Sequence, residues 1–333
     1  MKILFLGGTG IISYACCLEA YKSGFAVSIL NRGRNEKGRK LPEGIFQFQA
    51  DIRDPQAVRK VLSGQHFDVV ADFICFDKEQ AQSEVTIFKE LTEQYIFISS
   101  ASVYHKPVLS LPITESTAAY NPFWLYSQKK IACEQFFLAA YQEQGFPVTI
   151  IRPSHTYSAI YFPFPFGGAD FTLPARMLKG EEVIVHGDGE TLWTLTHATD
   201  FASAFIGLCG NRQALGEIFH ITSDEVLTWN YIFSEIGHAL QCRPKLVHIP
   251  SEVIARLEPE LGAGLLGDKS FSLIFDNTKI KRFVPGFKAC IPFFKGIRET
   301  VDWYLQDPQR QKVDPELNKK IDKILAIWKR LGI

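Results

Sequence analysis

Ile3-Leu4-Phe5-Leu6-Gly7-Gly8-Thr9-Gly10-Ile11-Ile12-Ser13 opens the chain, and its reading decides the fold. The apolar run Ile3–Leu6 predicts a buried strand. The stretch from Tyr14 to Ser23 reads as a helix. Between them lies a glycine-rich turn with Gly7 and Gly10 spaced G-x-x-G and Ser13 as the third small residue. A turn of this kind lets the backbone come close to a pyrophosphate, and the helix N-terminus then faces the phosphate charge with unpaired N–H groups.

The rest of the first half repeats the pattern. Strands are predicted at Ile3–Leu6, Ala26–Leu30, Ile45–Phe48, Val69–Phe73, Tyr95–Ser99 and Val148–Arg152. Helices are predicted at Ser13–Ser23, Pro55–Leu62, Lys78–Leu91 and Tyr126–Glu143. Continuously apolar strands alternating with helices specify a parallel sheet covered on both faces. After Arg152 the character changes. Tyr157–Phe171 is rich in Phe, Pro and Gly, lacks a helical period, and reads as a loop or lid over a site, or as an ordered aromatic surface loop. Further strands are predicted at Val183–His186, Glu217–Ile221 and Lys245–Ile249, and further helices at Phe201–Leu208, Tyr231–Leu240 and Ile297–Leu305. In the tail, Leu317, Ile321, Ile324, Leu325 and Trp328 at helical spacing predict a docked amphipathic helix. There is no internal repeat.

Composition narrows the function classes. With 36 Lys+Arg against 36 Asp+Glu the formal net charge is zero, which argues against a broad basic surface for nucleic acid. No apolar run is long enough to span a bilayer, and the apolar N-terminus is too short, and too soon broken by glycines, for a signal peptide. The seven cysteines include no CxxC pair, so they read as reduced thiols of a cytoplasmic protein. The histidines show no HxxxH or HxxE pairing, and no metal is assigned.

The chemistry is carried by Tyr126-Ser127-Gln128-Lys129-Lys130. The i, i+4 spacing puts Tyr126 and Lys130 on one helix face. Ahead of it lies Ile98-Ser99-Ser100-Ala101-Ser102-Val103-Tyr104, at the predicted end of a strand, where an open parallel sheet places its ligands.

Taken together these residues resemble the extended branch of the short-chain dehydrogenase/reductase superfamily, the NAD-dependent epimerase/dehydratase family. The resemblance runs through Gly7–Ser13, Asp51-Ile52, Ser99–Tyr104, Tyr126–Lys130, Ile151-Arg152-Pro153, Gly187–Asp200 and Asn277–Leu305. It implies a Rossmann-like doubly wound parallel sheet with a smaller C-terminal α/β substrate-binding domain. Residues 1–157, with returns near 197–222 and 276–290, would bind the dinucleotide. Residues 158–196, 223–275 and 291–333 would form the substrate-binding region and the C-terminal helices. It also implies that Tyr126 is the acid/base, that Lys130 favours the phenolate and bonds the nicotinamide ribose, and that Ser100 bonds the reacting oxygen. A free phenol has a pKa near ~10, so it needs such help at neutral pH.

The resemblance places Gly7, Thr9, Gly10, Ile11 and Ile12 at the cofactor, Phe73 and Ile74 beside the pyrophosphate and ribose, and Pro153 among the cofactor-binding residues. Phe73-Ile74-Cys75 is bulkier than the family's usual small residues there. Asp51-Ile52 would contact adenine; the alternative is an acidic strand-to-helix cap. NAD-selective relatives usually carry an acidic residue at the position of Asn31, whereas here a neutral Asn31 is followed by Arg32. That pair favours NADP, with NAD as the alternative.

Departures from the family bear on the substrate. Ala101 and Ser102 stand where sugar dehydratases carry Asp-Glu, which disfavours a dehydratase. Trp193 stands where many nucleotide-sugar enzymes have a diphosphate-clamping arginine, for which Arg176, Lys179 or Arg256 would have to substitute. The resulting expectation is an NAD(P)-dependent epimerase or reductase acting on a hydroxyl or keto group of a sugar or nucleotide-sugar derivative. It would be a cytoplasmic homodimer paired through the helices Lys78–Leu91 and Tyr126–Glu143, with no nucleic-acid or membrane partner. The alternatives are an RNA-binding relative of the same fold, like the plant stem-loop binders with a similar Arg32-Gly33 strand end, or a regulatory scaffold without turnover.

Overall fold

The computed structural model describes residues 1–33 and 39–331. In chain order, the first part contains β1 (Lys2–Leu6), α1 (Ile11–Lys22), β2 (Ala26–Asn31), β3 (Phe46–Gln49), α2 (Pro55–Val61), β4 (Val69–Asp72), α3 (Lys78–Phe88), β5 (Tyr95–Ile98), α4 (Leu125–Gln144) and β6 (Val148–Pro153). There follow β7 (His155–Tyr157), α5 (Thr172–Leu178), β8 (Glu182–His186), β9 (Leu192–Trp193), β10 (Leu195–His197), α6 (Ala198–Leu208) and β11 (Ile218–Ile221). The remainder comprises β12 (Leu227–Thr228), α7 (Trp229–Ala239), β13 (Lys245–Ile249), α8 (Ser251–Leu257), α9 (Pro259–Gly264), α10 (Thr278–Phe283), α11 (Phe293–Leu305) and α12 (Pro315–Arg330).

Seven strands form one parallel sheet in the order β11-β6-β5-β4-β1-β2-β3. Strand β1 shows why. Ile3, Leu4, Phe5 and Leu6 are all fully buried, and alternate side chains feed opposite faces of the sheet. Ile3 and Phe5 join Cys16, Cys17, Phe201 and Phe205 under α1 and α6. Leu4 and Leu6 join Val58, Phe88 and Phe137 under α2, α3 and α4. A strand apolar on every position is stable only with helices on both sides.

A separate apolar cluster gathers Phe162, Phe164, Trp193, Trp229, Phe293 and Tyr304 with the buried face of α12. The α12 residues Leu317, Ile321, Ile324 and Leu325 are all buried, as the periodicity predicts. The Phe-rich stretch 157–171 is not a detached lid. Phe162, Phe164 and Phe171 are buried, and the Phe162 and Phe171 rings pack on Tyr304 at 5.0 and 5.4 Å. Three large rings gain more from burial than a mobile flap would keep.

The sheet reverses direction of strand addition between β1 and β4, and every strand ends at the same edge. The segments after β1, β4, β5 and β6 therefore converge there, where open α/β sheets bind ligands. Element boundaries shift from the sequence expectation by a few residues; the largest shift is α11 starting at Phe293, followed by α6 starting at Ala198 and α3 ending at Phe88. The seven cysteines are all free, five of them buried. No described helix is long and apolar enough to cross a membrane.

Candidate active site

At the C-terminal edge of the sheet lies a cavity of about 740 Å³ that adjoins a second of about 420 Å³. They meet at the glycine turn and share Gly7, Thr9, Gly10, Ile74 and Phe76. Gly7 has a φ of +105°, and a Cβ there would stand 3.2 Å from the Ile74 side chain. A side chain at that position would be strained and would narrow the cleft. Helix α1 begins at once, with the Ser13 hydroxyl accepting from the Gly10 N–H at 2.9 Å. Arg39 donates to the Gly10 carbonyl from outside and lies over the Tyr14 ring.

The larger cavity is lined by Ser100, Tyr126 and Lys130, together with Gly7, Thr9, Gly10, Ile11, Ile12, Phe73, Ile74 and Pro153. The smaller is lined by Asn31, Arg32, Asp51 and Ile52. The structure thus gathers around one cleft the catalytic and cofactor-binding candidates of the sequence reading, though not the candidate clamps Arg176, Lys179 and Arg256.

Their contacts are more particular than the sequence reading. Lys130 is 2% exposed, and its ammonium donates to the Cys75 carbonyl at 2.6 Å and the Ile98 carbonyl at 2.8 Å. It is therefore fastened to the loop after β4 and the end of β5, rather than to the phenol. Burial lowers its affinity for a proton, and the Asp72 carboxylate opposes that loss. Burial pushes the Tyr126 phenol up to about 12, against a hydrogen bond with Ser100 that favours the ionised form. Ser100 closes β5: its hydroxyl accepts from the Ser102 N–H at 3.2 Å and lies 2.9 Å from the Ser102 hydroxyl, which Ser127 also reaches at 2.8 Å.

Sequence reasoning missed part of the wall. Trp124, Asp268 and Lys269 line the larger cavity. Asp268 and Lys269 sit on a π-helical turn, Leu265–Lys269, pressed against α4. A Cβ on Gly267 would fall 2.5 Å from Trp124 Cβ, so only glycine permits that approach. Asn121 fixes the turn by donating to the Gly267 carbonyl at 2.6 Å. Asp268 lies between the ammonium groups of Lys269 at 3.7 Å and the fully buried Lys106 at 3.8 Å. Asp268 and Lys269 are more than 130 positions from Tyr126, and no local pattern marks them.

Trp193 lines the same cavity and is held in place, its indole N–H donating to His155 Nδ1 at 3.2 Å and its ring 5.1 Å from Trp229. Burial pulls His155 down to about 3, so it is neutral, with the proton on Nε2. The proposed substitutes for a clamping arginine are not in the cavity. Arg176 is turned away into α12, paired with Asp322 at 2.8 Å and Asn318 at 2.7 Å. Lys179 and Arg256 are exposed and do not line it. Among the lining residues, Lys130 and Lys269 are the cations.

In the smaller cavity Asp51 is engaged. It accepts from the Arg53 backbone and side chain, and these bonds lower its carboxyl to about 2. Asp54, not Asp51, caps α2, its carboxylate accepting the Ala57 N–H at 3.1 Å, and Arg53 lines this end beside Arg32.

A dinucleotide fits this cleft on structural grounds. The glycine turn leaves room a Cβ would take, α1 directs its first N–H groups at it, and the buried Ser99 hydroxyl in the wall has no partner. Fold and cleft define a Rossmann-like parallel sheet with Ser100, Tyr126 and Lys130 at its C-terminal edge. The comparisons carry this further: residues 3–222 match the NAD dependent epimerase/dehydratase family, and the chain belongs to that family. It is similar to 2'-dehydrokanamycin reductase of Streptomyces kanamyceticus, at 25% identity over 98% of this chain and 90% of the relative. It is also similar to the chloroplast stem-loop binding protein of 41 kDa b of Arabidopsis thaliana, at 30% identity over 74% of this chain and 65% of the relative. The fold matches UDP-glucuronic acid 4-epimerase from Bacillus cereus, solved with UDP-glucuronic acid and NAD. That match has a TM-score of 0.73 at 18% identity and covers 92% of this chain and 99% of that one.

Proposed function

We propose that the protein is an NADP-dependent epimerase or reductase acting on a hydroxyl or keto group of a sugar or nucleotide-sugar derivative. The observation that carries this reading is the meeting of Ser100, Tyr126, Lys130 and the Gly7–Gly10 turn on one cleft. When bound, the nicotinamide supplies or accepts the hydride. Tyr126, with its phenol at about 12, is protonated at neutral pH and gives its proton to a substrate oxygen. Ser100 orients that oxygen. Lys130 holds a positive charge at the wall and bonds the cofactor ribose. Arg32, with Arg53 beside it, takes the 2′-phosphate, and Asn31 presents no repelling carboxylate. Ala101 and Ser102 put no carboxyl on the turn after β5, which supports epimerase or reductase chemistry over dehydration. We assign residues 1–157, with the later returns, to the cofactor and the rest to the substrate.

We also infer a homodimer through α3 and α4. Phe88 and Phe137 are spent on the sheet, but Ile131, Phe136 and Leu138 stay partly open on α4. A monomeric mass by light scattering at micromolar concentration would reject the dimer.

The functional test follows NADPH consumption with keto-sugar candidates for the wild type and Tyr126→Phe. Turnover that survives in Tyr126→Phe rejects the mechanism. The stem-loop relative sets the competing reading; RNA retained on a filter at nanomolar protein, with no NADPH binding by calorimetry, would favour it.

A further inference from the structure

Behind Lys130, sealed from solvent, two carboxyl groups face each other. Asp72 ends β4 and is 0% exposed; Glu84, on α3, is 1% exposed. One oxygen of each is well served. Asp72 Oδ1 accepts the backbone N–H groups of Ile74 at 2.8 Å and Cys75 at 3.1 Å. Glu84 Oε2 accepts the Tyr95 hydroxyl at 2.8 Å. The other two oxygens, Asp72 Oδ2 and Glu84 Oε1, are buried acceptors with no donor. A carboxylate oxygen of each lies, with Cys75 Sγ, in a group of atoms all within 4.8 Å of one another.

Two ionised carboxylates cannot share such a space; each lacks water, and each repels the other. A single proton between them satisfies both orphan oxygens at once. We propose that Glu84 carries this proton and donates it to Asp72, so that the pair holds one negative charge that positions Lys130. This rests on the reading of Lys130 as part of the catalytic set.

The assignment of the proton follows from the neighbours. Asp72 has two backbone donors and the Lys130 charge to stabilise its anion, whereas Glu84 has the Tyr95 phenol and the weak Cys75 thiol and no cation of its own. Burial, followed by the Asp72 charge, accordingly holds the Glu84 carboxyl well above the usual range. The titratable groups packed on the pair are Cys75 in the loop after β4, Tyr95 on β5, and Lys130 and Cys133 on α4. Lys130 is the only cation among them. The linkage to Lys130 is also mechanical. Asp72 accepts the Cys75 N–H, and the carbonyl of that same residue accepts Lys130. The charge and the tether thus act on one ammonium. Asp72 and Glu84 are positioning residues that never touch substrate.

The test uses the whole protein. Infrared titration should show a protonated-carboxyl band that persists well above the usual carboxylate range in the wild type and vanishes in Glu84→Gln. The glutamine amide matches the protonated acid, donating to Asp72 and accepting from Tyr95, so this variant folds. Glu84 has a raised folded pKa. Its contribution to stability is therefore full below the unfolded value of about 4.3 and is lost as pH rises toward the folded value. The urea midpoint of Glu84→Gln should therefore gain on the wild type steadily as pH rises above the unfolded carboxyl value. With both acids neutralised (Asp72→Asn with Glu84→Gln), Lys130 loses its counter-charge, and NADPH affinity should begin to fall about one pH unit lower than in the wild type. A band lost within the ordinary carboxylate range, a pH-independent midpoint difference, or a stoichiometric metal ion retained after dialysis overturns the shared proton. An unshifted NADPH profile overturns the positioning role. The infrared and urea results stand whether or not Tyr126 proves catalytic, so failure of the pair and failure of the proposed function are told apart.

Discussion

The two ends of the cleft are built on opposite principles. At the end that holds Tyr126 the charged groups are buried and tied to backbone: Lys130 to two carbonyls, Asp72 to two N–H groups. At the adenosine end they sit in solvent, with the Arg53 side chain 60% exposed and its partner Asp51 35% exposed. Burial makes electrostatics strong and geometry fixed, whereas exposure leaves the same charges screened and mobile. The first end suits chemistry, in which a misplaced group costs orders of magnitude. The second suits selection between cofactors, in which a modest difference is enough.

The comparison breaks most readily at Tyr126. Tyr126→Phe removes one oxygen, and turnover should fall by about 10²–10⁴ while calorimetry finds NADPH binding unchanged. Next is Lys130→Met, which strands the Cys75 and Ile98 carbonyls in the core. It should lower turnover about as much and weaken NADPH at least ~10-fold, because the ammonium serves both. A variant that lost turnover alone would show that Lys130 does not reach the cofactor.

A smaller effect comes from His186, 1% exposed, which donates from Nε2 to the Lys269 carbonyl at 2.9 Å if neutral. Burial lowers its pKa to about 4. The unfolded value is about 6.5, so its stability contribution is full above that pH and is lost as pH falls toward the folded value. Stability should decline by up to about 1.4 kcal/mol per pH unit across this window on account of His186. His186→Gln, which keeps the donor, should flatten the decline in urea midpoints.

The smallest effect belongs to the exposed end. Arg32→Ala should cost NADPH about 1–2 kcal/mol and NADH almost nothing, with the NADPH loss shrinking as salt is raised. Equal losses for both cofactors would remove the argument for NADP and erase the contrast between the two ends.

What the sequence made legible follows the same division. The sheet was readable because Ile3–Leu6, Val69–Ala71 and Tyr95–Phe97 are apolar at every position, a pattern that only a doubly covered sheet accommodates. Ser100, Tyr126 and Lys130 were readable because a strand end and a helical i, i+4 pair are local signals. The partners of Lys130 were not, because backbone carbonyls have no sequence signature. Asp268 and Lys269 were hidden because a π turn is set by the clearance at Gly267, a property of packing. Arg176 misled because its charge is visible in sequence but its destination, against Asp322, is not. The aromatic segment 157–171 does wall the cleft, through Tyr161, Phe164, Pro165 and Gly167. Its anchoring was hidden for a related reason, because Phe162 and Phe171 are held by Tyr304, more than 130 residues away.

The position of β11 in the sheet has a consequence for how the chain is made. Its residues Ile218–Ile221 pair with β6, which ends at Pro153. During synthesis the open edge of β6 therefore waits for some 65 further residues, including all of β7 to β10, before its own neighbour emerges. An uncovered apolar edge is a template for the wrong strand. A nascent chain stalled between these points is the form of this protein most prone to aggregate, and the form a chaperone would be expected to hold.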